Sequence, residues 1–204
     1  MSPTENKPFN CSDTKKNIFL IGDSIRMGYC NEVKDLLSDK AEVFFVDDNC
    51  RSTQHIMMNL WVWVSMFSDT KKVDLVHFNC GHWDANRWLE GGLPLTSEEE
   101  YGRNIEIIIK MLAKEFPNAK IVFATTTPMN PNPEMAIDSR TTPELIRYNE
   151  VAKEVVTKNN IPINDLFEVT KDWDASCYAD YCHYTEDTNK TLGKIVAEVL
   201  ELYI

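Results

Sequence analysis

Five short apolar segments that alternate with helical stretches constrain the fold of this chain more than any other feature. The segments predicted as buried strands cover residues 17–21, 42–46, 73–78, 119–125 and 161–166. The sequence predicts helices over residues 27–38, 52–67, 96–116, 143–158 and 188–202. Strands that alternate with helices in this way indicate an α/β fold, in which helices cover both faces of a parallel sheet.

The chain has 204 residues and no stretch that resembles a linker, so we expect a single domain over residues 17–204. Residues 1–16 are polar and are predicted to form a flexible N-terminal arm. This arm has no apolar signal core. The longest apolar run, at residues 60–67, is far shorter than the roughly 20 residues that span a bilayer. We therefore expect a cytoplasmic protein.

Composition narrows the expected partners. The formal net charge of −11 gives an acidic surface, which repels nucleic acid and anionic membranes. Neither is expected as a partner, whereas a neutral small molecule such as an esterified sugar is compatible with this charge. The six cysteines form no CxxC pair, so no metal site is expected.

Residues that could do chemistry lie just after the predicted strands. In parallel sheets of this kind, ligands bind beyond the carboxyl ends of the strands. The polar groups at these positions are Ser24 after the first strand, residues 49–52 after the second, residues 79–84 after the third, residues 125–128 after the fourth, and Asp180 with His183 after the fifth.

A serine and a histidine from opposite ends of the chain are the candidate nucleophile and base. His183 follows Asp180 by three residues, a spacing at which a carboxylate can reach the imidazole and fix its tautomer. His77 lies inside a strand and His55 inside a helix, which favours structural roles. Ser24 ends a Gly-Asp-Ser segment at a strand-to-helix junction, where it could cap the helix or face the crevice.

The combination of these segments resembles the SGNH/GDSL hydrolases. The segment IFLIGDSI around Ser24 is similar to the first block of that family, and Asp-Tyr-Cys-His before the final helix is similar to the last block. The segment VHFNCGHWD at 76–84 is similar to a Gly-x-Trp-Asp variant of the third block that occurs in bacterial members. The resemblance covers residues 17–202. It implies a flavodoxin-like three-layer α/β/α sandwich with a five-stranded parallel sheet. It also implies ester hydrolysis without metal or organic cofactor, with Ser24 as nucleophile, His183 as base and Asp180 as its orienting acid.

Two positions depart from the family pattern for oxyanion donors. The family uses the serine N–H, a glycine N–H in the second block and an asparagine side chain in the third. Cys50 stands in place of the glycine, and its N–H can still donate if its backbone angles are not restricted to glycine. Gly81 is a further candidate for the oxyanion and substrate-binding site, and Trp83, two residues after it, stands where the asparagine is expected. We assign the missing amide to Asn79, with the indole of Trp83 and the imidazole of His82 as alternatives.

Other groups near the strand ends could bind substrate. Arg26 and Arg51 could hold an anionic group, or could instead pair with the aspartates at positions 47, 48 and 84. Trp88 could stack on a sugar. The loop over residues 128–142 is longer than is usual for an α/β unit and could be a lid or a solvated connection.

These observations predict a serine esterase that acts on short acyl groups, with acetyl on a carbohydrate as the expected substrate. A thioesterase or an acyltransferase would use the same triad. The departures at positions 50 and 83 leave open a non-catalytic binding domain on the same fold. A mononucleotide binder is disfavoured because no glycine-rich loop follows the first strand.

Overall fold

A computed structural model describes residues 9–137 and 139–204 of the chain. Its strands are β1 (Lys16–Ile21), β2 (Ala41–Phe45), β3 (Leu75–Asn79), β4 (Lys120–Ala124) and β5 (Ile163–Asn164). Its helices are α1 (Ser24–Leu36), α2 (Thr53–Val64), α3 (Glu98–Glu115), α4 (Thr142–Lys158), α5 (Leu166–Thr170) and α6 (Glu186–Glu201). The strands form one parallel sheet in the order β2-β1-β3-β4-β5, which confirms the predicted α/β class.

The sheet lies between two layers of helices. Side chains of β1 alternate between its faces, as the pleat requires. Ile18 and Leu20 pack with α1 and α6, whereas Phe19 and Ile21 pack with α2, α3 and α4. This is the expected flavodoxin-like three-layer sandwich. No helix in the described parts of the chain combines the length and the apolar character needed to cross a bilayer.

Several element boundaries differ from the predicted ones for local reasons. Helix α1 begins at Ser24, three residues early, because the Asp23 side chain accepts the Ile25 N–H at 3.0 Å and caps the first turn. Strand β5 is only two residues long and begins just after Pro162, which has no N–H to donate to a ladder. Helix α5 lies in a segment predicted mostly as loop. Its five residues, capped by Asp165, are too few to show helical periodicity.

The predicted N-terminal arm lies partly outside the described residues. From Phe9 onward the chain is docked rather than loose. The Ser68 N–H donates to the Phe9 carbonyl at 2.8 Å, and the Phe9 ring lies 5.0 Å from the Phe67 ring and 5.2 Å from the Phe44 ring. Lys16 already belongs to β1, so the sheet begins one residue earlier than expected.

The strand order determines where a site can form. The chain moves outward from β1 to β2 and then returns to the other side of β1 to form β3, so the order reverses between β1 and β3. At such a reversal the loops after the two strands diverge and leave a crevice beyond their carboxyl ends. The segments after β1 and β3 contain Ser24 and Trp83 respectively.

Candidate active site

The structure brings Ser24, His183 and Asp180 into one hydrogen-bonded chain. Ser24 is the first residue of α1 and is separated from the end of β1 by two residues, and His183 lies in the loop between α5 and α6. The Ser24 Oγ lies 2.8 Å from His183 Nε2, and His183 Nδ1 lies 2.8 Å from Asp180 Oδ2. The arrangement has the distances required for a hydroxyl, a base and an orienting acid.

The environment of Asp180 keeps its carboxyl ionised. Partial burial pushes the pKa of Asp180 upward. The N–H groups of Cys182 and His183, at 2.9 and 2.8 Å, and the His183 imidazole more than offset this effect, and the pKa lies below its ordinary value. An ionised acceptor beside Nδ1 holds the proton of a neutral His183 on that atom. The Nε2 lone pair is then directed at the Ser24 hydroxyl.

The loop over residues 128–142 supports the segment that contains His183. The Asn130 side-chain amide donates to the Asp180 carbonyl at 2.8 Å, and the Asn130 backbone N–H donates to the Tyr181 carbonyl at 2.9 Å. The Ala179 N–H donates to the His183 carbonyl at 2.7 Å. These bonds hold both ends of the turn, so the imidazole has a fixed position relative to Ser24.

Asn79, assigned from the sequence as an oxyanion donor, contacts the turn before the serine and is not among the residues that line the pocket. Its side chain is buried, and a Cβ on Gly22 would lie 1.9 Å from Asn79 Oδ1. Position 22 must therefore be glycine for this contact to exist. Burial raises the pKa of Asp23, and a hydrogen bond from Asn79 partly offsets the rise. Asn79 thus supports the turn that presents Ser24.

Cys50 and His82 are also engaged elsewhere. The Cys50 N–H donates to the Gly22 carbonyl at 3.0 Å, so it is not directed at an oxyanion. His82 is buried. Its Nε2 lies 3.3 Å from Thr127 Oγ1 and its Nδ1 accepts from Arg140 Nε–H at 3.1 Å. Both ring nitrogens of His82 are therefore occupied.

Gly81 and Arg26 have structural surroundings instead of the predicted contacts with substrate. Gly81 has a φ of +142°, and a Cβ there would lie 3.0 Å from Thr126 Cβ, so this glycine allows the chain to turn after β3. Arg26 is buried, and its guanidinium donates to the carbonyls of Val46, at 3.1 Å, and Asp48. Arg26 therefore joins the ends of β1 and β2 by binding carbonyl oxygens. It does not bind a carboxylate, and it is not among the residues that line the pocket.

Trp83 faces the pocket, and Arg51 lies beside it. The Arg51 guanidinium carbon is 5.7 Å from the centre of the Trp83 ring, within the range of a cation–π contact. Arg51 is exposed and has a φ of +51°. The Asp84 carboxylate accepts the Thr53 N–H, the first N–H of α2, at 3.0 Å. Asp84 therefore binds the start of α2 and does not pair with Arg26 or Arg51.

A pocket of about 260 Å³ opens beside the serine. Its lining residues are Ser24, Asn49, Trp83, Asn86, Trp88, Arg140, Tyr181 and His183. Sequence reasoning did not single out Asn86, Arg140 or Tyr181. Tyr181 could have been found from its place between Asp180 and His183. Asn86 and Arg140 lie in loops with no local motif, and only the tertiary fold brings them to the serine.

One group of potential metal ligands lies at the same place. Ligand atoms of Asp180, Cys182 and His183 are within 4.8 Å of one another. Both nitrogens of His183 are already hydrogen-bonded, to Asp180 and Ser24. Burial raises the pKa of the Cys182 thiol to about 12, and a protonated thiol is a poor ligand. The donor set therefore fits a hydrogen-bonded triad better than a metal centre.

Comparison with known proteins gives a clear result at the level of the fold. No family model matches the sequence, and no curated protein matches it. Among solved structures, a lipase/acylhydrolase from Enterococcus faecalis matches with a TM-score of 0.73 and 20% identity, over 91% of this chain and 95% of that one.

Two further structures match at similar levels. An acetyl xylan esterase has a TM-score of 0.70 and 16% identity, over 90% of this chain and 99% of that one. A GDSL-like lipase from Bacteroides thetaiotaomicron has a TM-score of 0.70 and 14% identity, over 93% and 89% of the two chains. At these identities the likeness establishes shared architecture only. The chain therefore has the fold of the GDSL-like lipases and acylhydrolases.

Proposed function

We propose that this protein is a serine hydrolase that cleaves carboxylic esters through an acyl-enzyme on Ser24. The observation that carries the proposal is the continuous hydrogen-bonded chain from Ser24 Oγ through His183 to Asp180, with both contacts at 2.8 Å. A serine hydroxyl is a weak nucleophile until an adjacent base accepts its proton. The fold shared with known lipases and esterases supports the proposal of ester hydrolysis.

The reaction follows from the positions of the proton donors and acceptors. Ser24 Oγ attacks the ester carbonyl while its proton passes to His183 Nε2. The imidazolium then gives this proton to the leaving alcohol, and the Ser24 ester remains. Water, deprotonated by the same nitrogen, attacks the acyl-enzyme and releases the acid. Asp180 stabilises the imidazolium in both halves of the reaction and stays ionised.

The oxyanion would be held by the start of α1 and by side-chain amides of the pocket. The Ser24 N–H is the first of the helix, where amide groups and the helix dipole favour negative charge. The Oδ1 atoms of Asn49 and Asn86 already accept hydrogen bonds, from the Arg51 N–H at 2.9 Å and from Arg140 at 2.7 Å. Their NH₂ groups are left as the donors that can serve a developing charge.

Short acyl groups on a carbohydrate are the substrates that suit this pocket. A volume of about 260 Å³ is below the range of roughly 300–1,000 Å³ typical for drug-sized ligands, which favours a small ligand. The rings of Trp83 and Trp88 lie 6.1 Å apart in the pocket wall, and Trp88 is 67% exposed. Aromatic faces of this kind can pack against a sugar ring, and a neighbour in fold is an acetyl xylan esterase.

Hydrolysis of p-nitrophenyl acetate tests the mechanism. We expect Ser24→Ala to lower kcat by at least about a thousandfold, because Ser24 Oγ is the group that His183 Nε2 can deprotonate, whereas the Cys182 thiol is buried and lies 3.8 Å from the other ring nitrogen, Nδ1. Ser38→Ala is the matched control, since Ser38 is exposed near the end of α1 and its hydroxyl donates to the Asp35 carbonyl, far from the pocket lining. Mass spectrometry should detect an acyl group on Ser24 in the wild type.

The outcomes separate the alternatives. Hydrolysis that survives Ser24→Ala contradicts the serine mechanism. A wild type that hydrolyses no short ester favours a binding domain on the same fold. Product analysis with an added thioester or an added acceptor alcohol distinguishes a thioesterase or an acyltransferase from an esterase.

A further inference from the structure

A buried arginine lies in the wall of the pocket beside Ser24. Arg140 comes from the loop between β4 and α4, and only 8% of its surface is exposed. None of the described residues that line this pocket is an aspartate or a glutamate. The chain as a whole has 32 acidic residues and a net charge of −11. The charge of Arg140 acts on the buried carboxyl of Asp23 and lowers its pKa, but no carboxylate among the described residues forms an ion pair with the guanidinium. A buried cation without a direct ion pair is costly, so its presence at this position requires a reason.

Three neutral groups orient the guanidinium of Arg140. Its Nε–H donates to His82 Nδ1 at 3.1 Å, one Nη1–H donates to Asn86 Oδ1 at 2.7 Å, and one Nη2–H is 3.5 Å from Cys182 Sγ. Burial lowers the pKa of His82 well below its ordinary value, and the charge of Arg140 adds to this effect. Burial raises the pKa of Cys182 to about 12. Both groups are therefore uncharged at neutral pH, and neither offsets the arginine.

Two other arginines, one half-buried and one exposed, are paired in a different way. Arg87 forms an ion pair with Glu144, and Arg147 contacts Glu98 at 2.7 Å. Within the described residues, Arg140 has no carboxylate within 4.0 Å. A guanidinium has five N–H groups, of which the protein uses three here. The Tyr181 ring, 5.5 Å away, covers one face of the group. Two N–H groups therefore remain for a ligand in the pocket.

We propose that Arg140 binds a carboxylate of the substrate, so that the preferred substrate is an acylated sugar acid instead of a neutral sugar. The inference rests on the proposed esterase function and specifies its substrate class. A planar guanidinium fork matches the two oxygens of a carboxylate. The carboxylate would sit at Arg140, the sugar ring against Trp83 or Trp88, and the ester carbonyl at Ser24, all in one pocket.

Two acetylated sugars that differ only in a carboxylate test the proposal. The substrates are acetylated methyl glucuronoside and acetylated methyl glucoside. We expect the wild type to favour the acidic sugar in kcat/KM by about ten- to a hundredfold, mainly through KM, the range of one charge-assisted hydrogen bond. Arg140→Gln should bring this ratio close to one, and Arg140→Lys should keep part of it. Arg103→Gln, which removes an exposed charge on α3, should leave the ratio unchanged.

A binding measurement keeps the proposal separate from the esterase mechanism. Calorimetry on Ser24→Ala, which retains Arg140, should detect sodium glucuronate and no comparable binding of methyl glucoside. The double variant with Arg140→Gln should lose the glucuronate signal. If Ser24→Ala still hydrolyses esters, the serine mechanism fails, but glucuronate binding still decides the role of Arg140. This measurement also applies if Arg140→Gln fails to fold.

Three results would overturn the inference. One is a wild type that does not distinguish the two sugars. Another is Arg140→Gln slowing both substrates by the same factor, which would assign the arginine to the scaffold or to the oxyanion. The third is a preference for p-nitrophenyl hemisuccinate over p-nitrophenyl acetate that is lost in Arg140→Gln while the sugars are treated alike. That result would place the carboxylate on the acyl group.

Discussion

The two amides in the pocket differ in burial, and this difference decides which should matter more for the oxyanion. Asn86 is 8% exposed, whereas Asn49 is half-buried at the pocket rim. A fixed dipole stabilises charge better when water is excluded from it. The Asn86 amide donates only to the Arg87 carbonyl at 3.4 Å, a long bond that an oxyanion can replace.

We therefore expect Asn86→Ala to lower kcat for p-nitrophenyl acetate by about a hundred- to a thousandfold, the cost of one lost oxyanion donor. Asn49→Ala should cost about tenfold or less, because its amide is partly solvated. Trp83→Phe removes an indole N–H and keeps an aromatic wall, so it serves as a matched control with a small effect. A loss in Trp83→Phe that exceeds the loss in Asn86→Ala would assign the donor to the indole.

The residues found from the sequence are those with short-range signatures. Ser24 ends a strand-to-helix turn, so its place in the sequence puts it at the end of a strand. Asp180 and His183 are three residues apart, so their spacing puts them near one another. Arg26 was misassigned because its partners are carbonyl oxygens, which every residue has and no sequence pattern marks. Arg140 was not found, because only the packing of a long loop brings it to the serine.

At the level of elements, a buried carboxylate joins the loop after β3 to the start of α2. Asp84 is fully buried and accepts hydrogen bonds from the N–H and the hydroxyl of Thr53. The Asn104 amide on α3 donates to the same hydroxyl at 3.0 Å. Burial raises the pKa of Asp84 to about 6, despite the hydrogen bonds from Thr53, which lower it. Folding thus favours the protonated form of this carboxyl.

This shift predicts how stability depends on pH. A carboxyl whose pKa is higher in the folded state contributes most below its unfolded pKa, about 3.8, and its contribution falls as pH rises through about 6. The free energy of unfolding should therefore decrease by about 2–3 kcal/mol between pH 4 and pH 7 because of Asp84. Urea unfolding of wild type and Asp84→Asn across this range measures the contribution. Equal pH dependence in the two proteins would contradict it.

At the scale of the whole molecule, the nucleophile and the base are both attached to helices of the same layer. Ser24 begins α1, His183 lies three residues before α6, and these two helices pack on the same face of the sheet. The opposite layer of α2, α3 and α4 contributes neither group. The sequence could predict two layers, but not which helices share one, because that depends on the crossovers. We therefore expect the distance from serine to imidazole to depend on how closely α1 approaches α6, in addition to the loop hydrogen bonds around His183.

Two buried glycines allow this dependence to be tested. A Cβ at Gly193 on α6 would lie 2.7 Å from Glu32 Cβ on α1, and a Cβ at Gly102 on α3 would lie 2.9 Å from Val151 Cγ1 on α4. Each alanine should overpack its own helix pair, at a cost of about 1–3 kcal/mol that the better helix propensity of alanine partly offsets.

Both variants should lower the melting temperature, but only one should affect turnover. Gly193→Ala forces α1 and α6 apart, and a displacement of about 1 Å between reacting groups can cost a hundredfold in rate, so we expect kcat to fall by at least about tenfold. Gly102→Ala separates helices that contain neither Ser24 nor His183, so its kcat should stay within about twofold of the wild type. Equal kcat in the two variants, at matched losses of melting temperature, would mean that the loop around His183 fixes the imidazole independently of α6.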